Sequence, residues 1–262
     1  MTLAAMDFDY IAQLVHRRAA IVLEPGKEYL AESRLESVAR ENGLASVSEL
    51  VAHMRSGRLD ASDKVIDAMT TNETSWFRDA HPFNAMRDEL LPDLIERRRV
   101  ARALSIWCAA SSSGQEPYSI AMLIRQHFPE LDSWSVRILA TDISPSMLRR
   151  TNEGLYSQLE VNRGLPAPML VKHFTRSGMH WQVSDELRRM VQTEFVNLAE
   201  LSTRGNIDDY REIQQDGLRK ARPLLWTDNT QWSLAGLDWL QLPRRVAQYG
   251  SSISTPARSL RP

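Results

Sequence analysis

Ala109-Ala110-Ser111-Ser112-Ser113-Gly114-Gln115-Glu116-Pro117-Tyr118-Ser119 follows the apolar run Leu104 to Cys108 and precedes a helical pattern with Ile120, Leu123 and Ile124 on its inward stripe. The stretch reads as a loop joining a buried strand to a helix, the junction at which an α/β sheet holds a charged cofactor. A second apolar run, Val136 to Ala140, ends at Thr141-Asp142, and Ser144-Pro145 behind it has the form of a helix N-cap followed by a first-turn proline. Two successive strand and helix units, each with an acid near the strand end, predict a parallel α/β sheet with a nucleoside-binding crevice.

Toward the N-terminus the pattern is helical. Phe8, Ile11, Leu14 and Val15 fall on one stripe, Ala31, Leu35, Val38 and Ala39 on a second, and Val47, Leu50, Val51 and Met54 on a third. Ser46 followed by Glu49 predicts a capping box, and Pro25-Gly26 and Asn42-Gly43 break the segments. Residues 1–70 thus form a small helical domain. Another amphipathic helix starts near Pro82 and ends at Arg97-Arg98-Arg99, cations suited to the negative end of its dipole.

Beyond the second unit the pattern loosens, with Gly164-Leu165-Pro166, Ser177-Gly178 and short runs such as Trp181 to Val183 and Met190 to Phe195. This predicts a small antiparallel insertion over residues 155–195, carried on the domain of residues 71–262. After Asn197-Leu198 no Val/Ile-rich run appears, although an α/β sheet needs further buried strands. Trp226, Trp232 and Trp239 lie among polar residues, so 199–262 reads as an atypical, poorly ordered tail.

The chain has 262 residues, 43% hydrophobic and 25% charged, with a formal net charge of -1. That is ordinary for a globular protein with a sizeable core, and it gives no reason to expect nucleic acid. The single cysteine, Cys108, excludes a disulfide within the chain. No apolar stretch approaches the roughly 20 residues that span a bilayer, and Met1 to Tyr10 lacks the features of a secretory signal. A cytoplasmic monomer is expected. The six histidines never pair with cysteine at metal-ligand spacing, so no metal is expected.

The serine-rich loop is weak evidence by itself. It lacks the GxxxxGK[ST] and GxGxxG patterns, which argues against ATP, GTP and NAD. Taken singly, Glu116 and Asp142 would serve equally as solvated helix caps. Taken together they suit S-adenosylmethionine: an acid after the second strand can accept both ribose hydroxyls, and one in the first helix can meet a cationic group.

Thr70-Thr71-Asn72-Glu73-Thr74-Ser75-Trp76-Phe77-Arg78 resembles the "TTNxTxFFR" signature of CheR-type chemotaxis receptor methyltransferases. Gly114 to Ser119 is similar to that family's "GEEPYS", Ala140 to Ile143 to its "ATDI", Arg163 to Pro166 to its insertion, and Phe195 to Leu198 to its "FxxxNL". The resemblance implies a Rossmann-like methyltransferase domain behind an all-helical domain, with S-adenosylmethionine contacted by Asn72, Thr74, Arg78, Glu116, Asp142, Asn197 and Leu198. Arg78 is expected on the methionyl carboxylate, where a guanidinium fork fits, or else on a nearby acid such as Asp79 or Glu73. No catalytic residue is assigned.

The implied reaction is methylation of glutamate side chains on the cytoplasmic helices of methyl-accepting chemotaxis receptors, with S-adenosylhomocysteine as product. Arg34, Arg40, Arg55 and Arg58 are candidates for meeting the acidic methylation region, or form a solvated face with Glu32, Glu36 and Glu41. The insertion resembles the β-subdomain that grips a receptor's C-terminal peptide in some members, but its loop at Ser177-Gly178 is short, which favours tail-independent binding. After Leu198 the family's next strand, its Arg-Asn pair and its "LxPGG" turn are missing. A change of reading frame near residue 199 would leave such a tail, which sequencing of the gene decides. Without that strand the cofactor crevice loses a wall, so the alternative is a catalytically impaired relative acting as a receptor-binding or regulatory module. A small-molecule methyltransferase ranks below both, because it gives the helical domain no purpose.

Overall fold

The computed structural model describes residues 3–203, 224–227 and 232–234. Four helices come first: α1 (Ala5–Ala19), α2 (Glu28–Glu41), α3 (Val47–Arg55) and α4 (Ser62–Met69). The three predicted stripes pack on one another, with Met54 at the margin of the core. α4 escaped the periodicity because its eight residues offer too few turns; Val65 and Met69 join the same core, and Ile66 is buried. At α3 the Ser46 side chain accepts from Glu49 N (3.1 Å), but the Glu49 carboxylate reaches past Ser46 to Ala45 N (2.8 Å), so the reciprocal arm lies one residue early.

Residues 70–79 carry the chain across to the second domain without helix or strand. The next helix is α5 (Ala80–Ala85), a π turn over Met86–Leu90, and α6 (Leu91–Arg98). Leu91 N donates to Met86 O, five residues back. Pro92 lacks an N–H and crowds the turn before it, and widening that turn relieves the conflict without breaking the helix.

β1 (Ala103–Ala109), α7 (Gln115–His127) and β2 (Ser135–Asp142) form the first crossover, with the strands parallel from Ala103↔Ser135 to Ala109↔Thr141. α8 (Pro145–Glu153) follows, capped by Ser144, whose side chain accepts from Met147 N (3.2 Å). The insertion then contributes β3 (Leu155–Ser157), α9 (Gln158–Val161), α10 (Ala167–His173), β4 (Phe174–Ser177) and β5 (His180–Val183). Its three strands are antiparallel in the order β3-β5-β4. After α11 (Asp185–Met190), β6 (Val191–Phe195) pairs parallel with β2. The Met190 to Phe195 run therefore belongs to the main sheet and not to the insertion, since its ladder runs from Ile138↔Val191 to Asp142↔Phe195.

Within the tail, the described residues include one helix and two strands that the sequence pattern does not signal. Beyond α12 (Leu198–Thr203), β7 (Leu224–Thr227) pairs parallel with β1, and β8 (Trp232–Leu234) pairs antiparallel with β7. The main sheet has the order β6-β2-β1-β7-β8. A four-residue run without valine or isoleucine gives little strand signal, whereas the ladder offered by a formed β1 supplies hydrogen bonds that propensity does not register. With β2 on one side of β1 and β7 on the other, strand order reverses at β1, and the loop after β1 opens at a topological switch point. Trp239 and Ser259 to Pro262 lie outside the described residues. Among the described residues no helix is long and apolar enough to cross a membrane.

The insertion is locked to residues 70–79 through backbone. Trp76 N donates to Arg163 O (3.0 Å), and Gly164, at φ 95°, passes so close that a Cβ would lie 2.2 Å from Trp76 O. Gly164→Ala combines a strained φ with a clash against main chain, and it should lower stability by about 2 kcal/mol in urea unfolding, toward the upper end for a single substitution. A change below about 0.5 kcal/mol would show that this approach is not tight.

Candidate functional site

The loop after β1 is built from alternating backbone hands. Ala110, Ser112 and Gly114 have φ of 56°, 49° and 90°, conformations that cost alanine and serine on the order of 1 kcal/mol each. Its surroundings hold this shape. Thr151 Oγ1 donates to Ser112 O (3.2 Å) and the Tyr156 hydroxyl to Ser113 O (2.7 Å), while the Tyr118 hydroxyl donates to Thr151 O (2.7 Å). Burial raises both phenols, Tyr118 to about 12, so both remain donors at neutral pH. A Cβ on Gly114 would fall 2.8 Å from the Thr151 side chain, which is why the turn ends on glycine.

Curling the loop aims the Ser112 N–H at Asp142. Ser112 N donates to Asp142 Oδ2 (2.7 Å) and Ser144 N to Oδ1 (2.9 Å), so one carboxylate bridges the loops after β1 and β2. Asp142 is 5% exposed. Burial pushes its carboxyl above the ordinary range and nearby Asp67 adds to this, against the backbone N–H groups of Ser144, Ser112 and Ile143. Ser111 N donates to Thr141 O (2.9 Å), and Ser112 Oγ donates to Asn72 O (2.9 Å), which brings residues 70–79 to the same place.

Those residues lie along the start of α7. Phe77, at φ 47°, donates its N–H to Ser119 Oγ (3.1 Å), and the buried Trp76 ring meets Tyr156 and Phe174 edge-on at 4.8 and 5.4 Å. Thr74 is half-buried. Arg78 is exposed and donates from Nη1 to Glu73 O (3.1 Å), the backbone of the acid named as its alternative partner, while the Glu73 carboxylate pairs with Arg163 (3.2 Å). Glu116 stands half-buried in the first turn of α7, close enough to Cys108 that it reinforces the upward push of burial on that thiol.

Val196 N donates to Asp142 O (3.1 Å), which sets Asn197 and Leu198 beside Asp142. Asn197 already has protein partners: Nδ2 donates to Arg18 O (2.6 Å) and to Glu200 Oε1 (3.0 Å), and Oδ1 accepts from Ala199 N (3.1 Å). It straps α12 to the end of α1. Leu198 is 37% exposed. Asn72, Glu116, Asp142, Asn197 and Leu198 thus gather around the switch point, with Thr74 and Arg78 further along the connecting segment. Sequence reading missed Tyr156 and Thr151 as supports, since nothing in a lone tyrosine or threonine signals a contact across some 40 positions.

The wall fits S-adenosylmethionine. Among the described residues, Asn72 Oδ1 and Ser111 Oγ are buried side-chain oxygens without a hydrogen-bond partner, a costly state that a ligand rich in donors relieves. An ammonium and two ribose hydroxyls are such donors, and two carboxylates suit a cation better than a phosphate.

Residues 72–209 match the CheR methyltransferase SAM binding domain, and residues 6–70 match the CheR methyltransferase all-alpha domain. The chain belongs to the CheR methyltransferase family. It is similar to chemotaxis protein methyltransferase 1 of Pseudomonas aeruginosa, 39% identical over 203 residues, which is 76% of this chain and 73% of the relative. Chemotaxis protein methyltransferases of Vibrio parahaemolyticus and Vibrio cholerae are each 40% identical, over 76% of this chain and 72% and 73% of their own lengths. The chain is accordingly an S-adenosylmethionine-dependent methyltransferase.

Two of the four arginines that the sequence offers for docking have partners inside the helical domain. Arg34 Nη1 donates to Met69 O (2.8 Å) and Thr70 O (3.3 Å), fixing the entry of the connecting segment, and Arg40 pairs with Glu36 (3.5 Å). Arg55 and Arg58 are exposed.

Tyr156→Phe removes the donor to Ser113 O and leaves that carbonyl buried and unpaired. Thermal unfolding should report a loss of about 1–2 kcal/mol, together with weaker S-adenosylhomocysteine binding by calorimetry. Unchanged affinity would separate the loop's shape from cofactor binding.

Proposed function

We propose that the chain methylates glutamate side chains on the cytoplasmic helices of chemoreceptors, acting as a cytoplasmic monomer in chemotaxis adaptation. The observation that carries the cofactor side is the buried Asp142 carboxylate, held by two loops at the switch point. The acceptor side rests on the relatives, which are named chemotaxis protein methyltransferases.

When bound, S-adenosylmethionine supplies a methyl group on a sulfonium, and its transfer to a glutamate carboxylate leaves an ester and S-adenosylhomocysteine with no proton to move. The residues then have binding and orienting roles. Asp142 keeps lone pairs beyond those used by Ser112 and Ser144, and accepts the ribose hydroxyls. Glu116 and Asn72 Oδ1 meet the cationic end. Arg78, released from Glu73 O, takes the methionyl carboxylate, with Thr74 beside it, and Asn197 and Leu198 flank the nucleoside. A glutamate with an ordinary pKa near 4.3 is ionised at neutral pH, so no general base is required. Rate comes from alignment and from excluding water around opposite charges.

The reading as a receptor-binding module without catalysis drew on a sheet left open beside β1. β7 closes that side. The two-residue link Gly178-Met179 between β4 and β5 supports receptor binding that does not depend on a gripped C-terminal peptide.

Incubation with labelled S-adenosylmethionine and receptor membranes should give base-labile methyl ester; measurable S-adenosylhomocysteine binding without ester would overturn the enzymatic proposal. A pH titration tests Asp142. Ribose hydroxyls donate to the ionised carboxylate, so affinity should fall as pH drops through its raised pKa, earlier than for an ordinary aspartate. In the free protein the sign is opposite: the cost of burying the charge is absent below the unfolded pKa and grows as pH rises through the folded one. Asp142→Asn should weaken S-adenosylhomocysteine binding about tenfold and flatten its pH dependence, read by calorimetry.

A further inference from the structure

Asp67 stands on α4 in the helical domain, outside every motif of the second domain. Its Oδ1 accepts from Ser144 Oγ and from Ser146 Oγ (3.0 Å). Ser144 is fully buried, and the same residue donates its N–H to Asp142 Oδ1 (2.9 Å) and caps α8 through its hydroxyl. The hydroxyl has one proton. Asp67 takes it, which leaves the oxygen's lone pairs for Met147 N, and the rotamer of Ser144 is thereby fixed from across the domain boundary.

We infer that Asp67 is a cofactor-positioning residue: through Ser144 the helical domain orients the carboxylate of Asp142 toward the ribose hydroxyls of S-adenosylmethionine. The inference rests on the proposed role of Asp142. Its physical basis is the chain of bonds from Asp67 to the Ser144 and Ser146 hydroxyls and from Ser144 N to Asp142; the second acid also adds a small upward push to the carboxyl already raised by burial. Repulsion between carboxylates opposes stability, so this geometry makes a poor structural strap. It makes a good aligner, because two serine donors and a carboxylate admit few arrangements. α4 also ends at Met69, directly before the segment that carries Asn72 and Arg78, so one short helix sets both sides of the crevice.

The test is a coupling measurement on the full chain. Dissociation constants are compared for S-adenosylhomocysteine and its 2′-deoxyribose analogue, in the parent protein and in Asp67→Ala, with thermal unfolding alongside. The parent should prefer the ribose form about tenfold, and Asp67→Ala should shrink that preference to about twofold. Asp67→Asn keeps a carbonyl acceptor and should retain most of the preference, whereas Asp67→Ala should lose it with little change in thermal unfolding, an outcome that a purely structural role does not produce. If Asp67→Ala does not fold, Asp67→Leu, similar in volume and without an acceptor, gives the same reading. An unchanged preference in the variant overturns this inference while Asp142 keeps its role. Equal binding of both ligands by the parent overturns the role of Asp142 in ribose recognition and the inference with it.

Discussion

One carboxylate joins the two halves of the crevice. Asp142 receives an N–H from the loop after β1 and another from the loop after β2, and both bonds form only if Ser112 adopts its left-handed backbone and Ser144 sits at the N-cap of α8. The cost of burying this charge falls on the free protein, and the ring of supports around the loop is what sustains it. Thr151 of α8 reaches Ser112, Tyr156 of β3 reaches Ser113, and Tyr118 of α7 braces Thr151, so the insertion and both crossovers converge on this loop.

Sequence patterns carried much of this architecture. The stripes of α1, α2 and α3, the strands at Leu104 to Cys108 and Val136 to Ala140, and the Ser144-Pro145 cap are local signals, written in residues a few positions apart. What failed to show was nonlocal. Leu224 to Thr227 becomes a strand only because β1 offers it a ladder, and Met190 to Phe195 could be assigned to the main sheet only through its pairing with β2. The site behaved in the same way. Asn72, Glu116 and Asp142 are candidates by type and motif, whereas the contacts that bring Asn72 and Asp142 together through Ser112 span 30 to 40 positions.

The helical domain is tied to the crevice at more than one point. Asn197 reaches Arg18 O at the end of α1, and Ser144 and Ser146 reach Asp67 of α4. A domain that only presented a docking face would not need contacts placed this close to the cofactor. The helical domain and the crevice therefore share side chains, and a shift in one has a short path to the other.

The joint between Trp76 and Gly164 bears on how such a chain can diverge. Trp76 stands where the family signature has phenylalanine; its larger ring packs on Tyr156 and Phe174 of the insertion while its backbone meets Arg163 and Gly164. The insertion is thus not a detachable cassette. A subdomain exchanged from another member would arrive shaped for a smaller ring, so recombination across this boundary should succeed only when residues 70–79 travel with the subdomain, and lineages should inherit the two as one block.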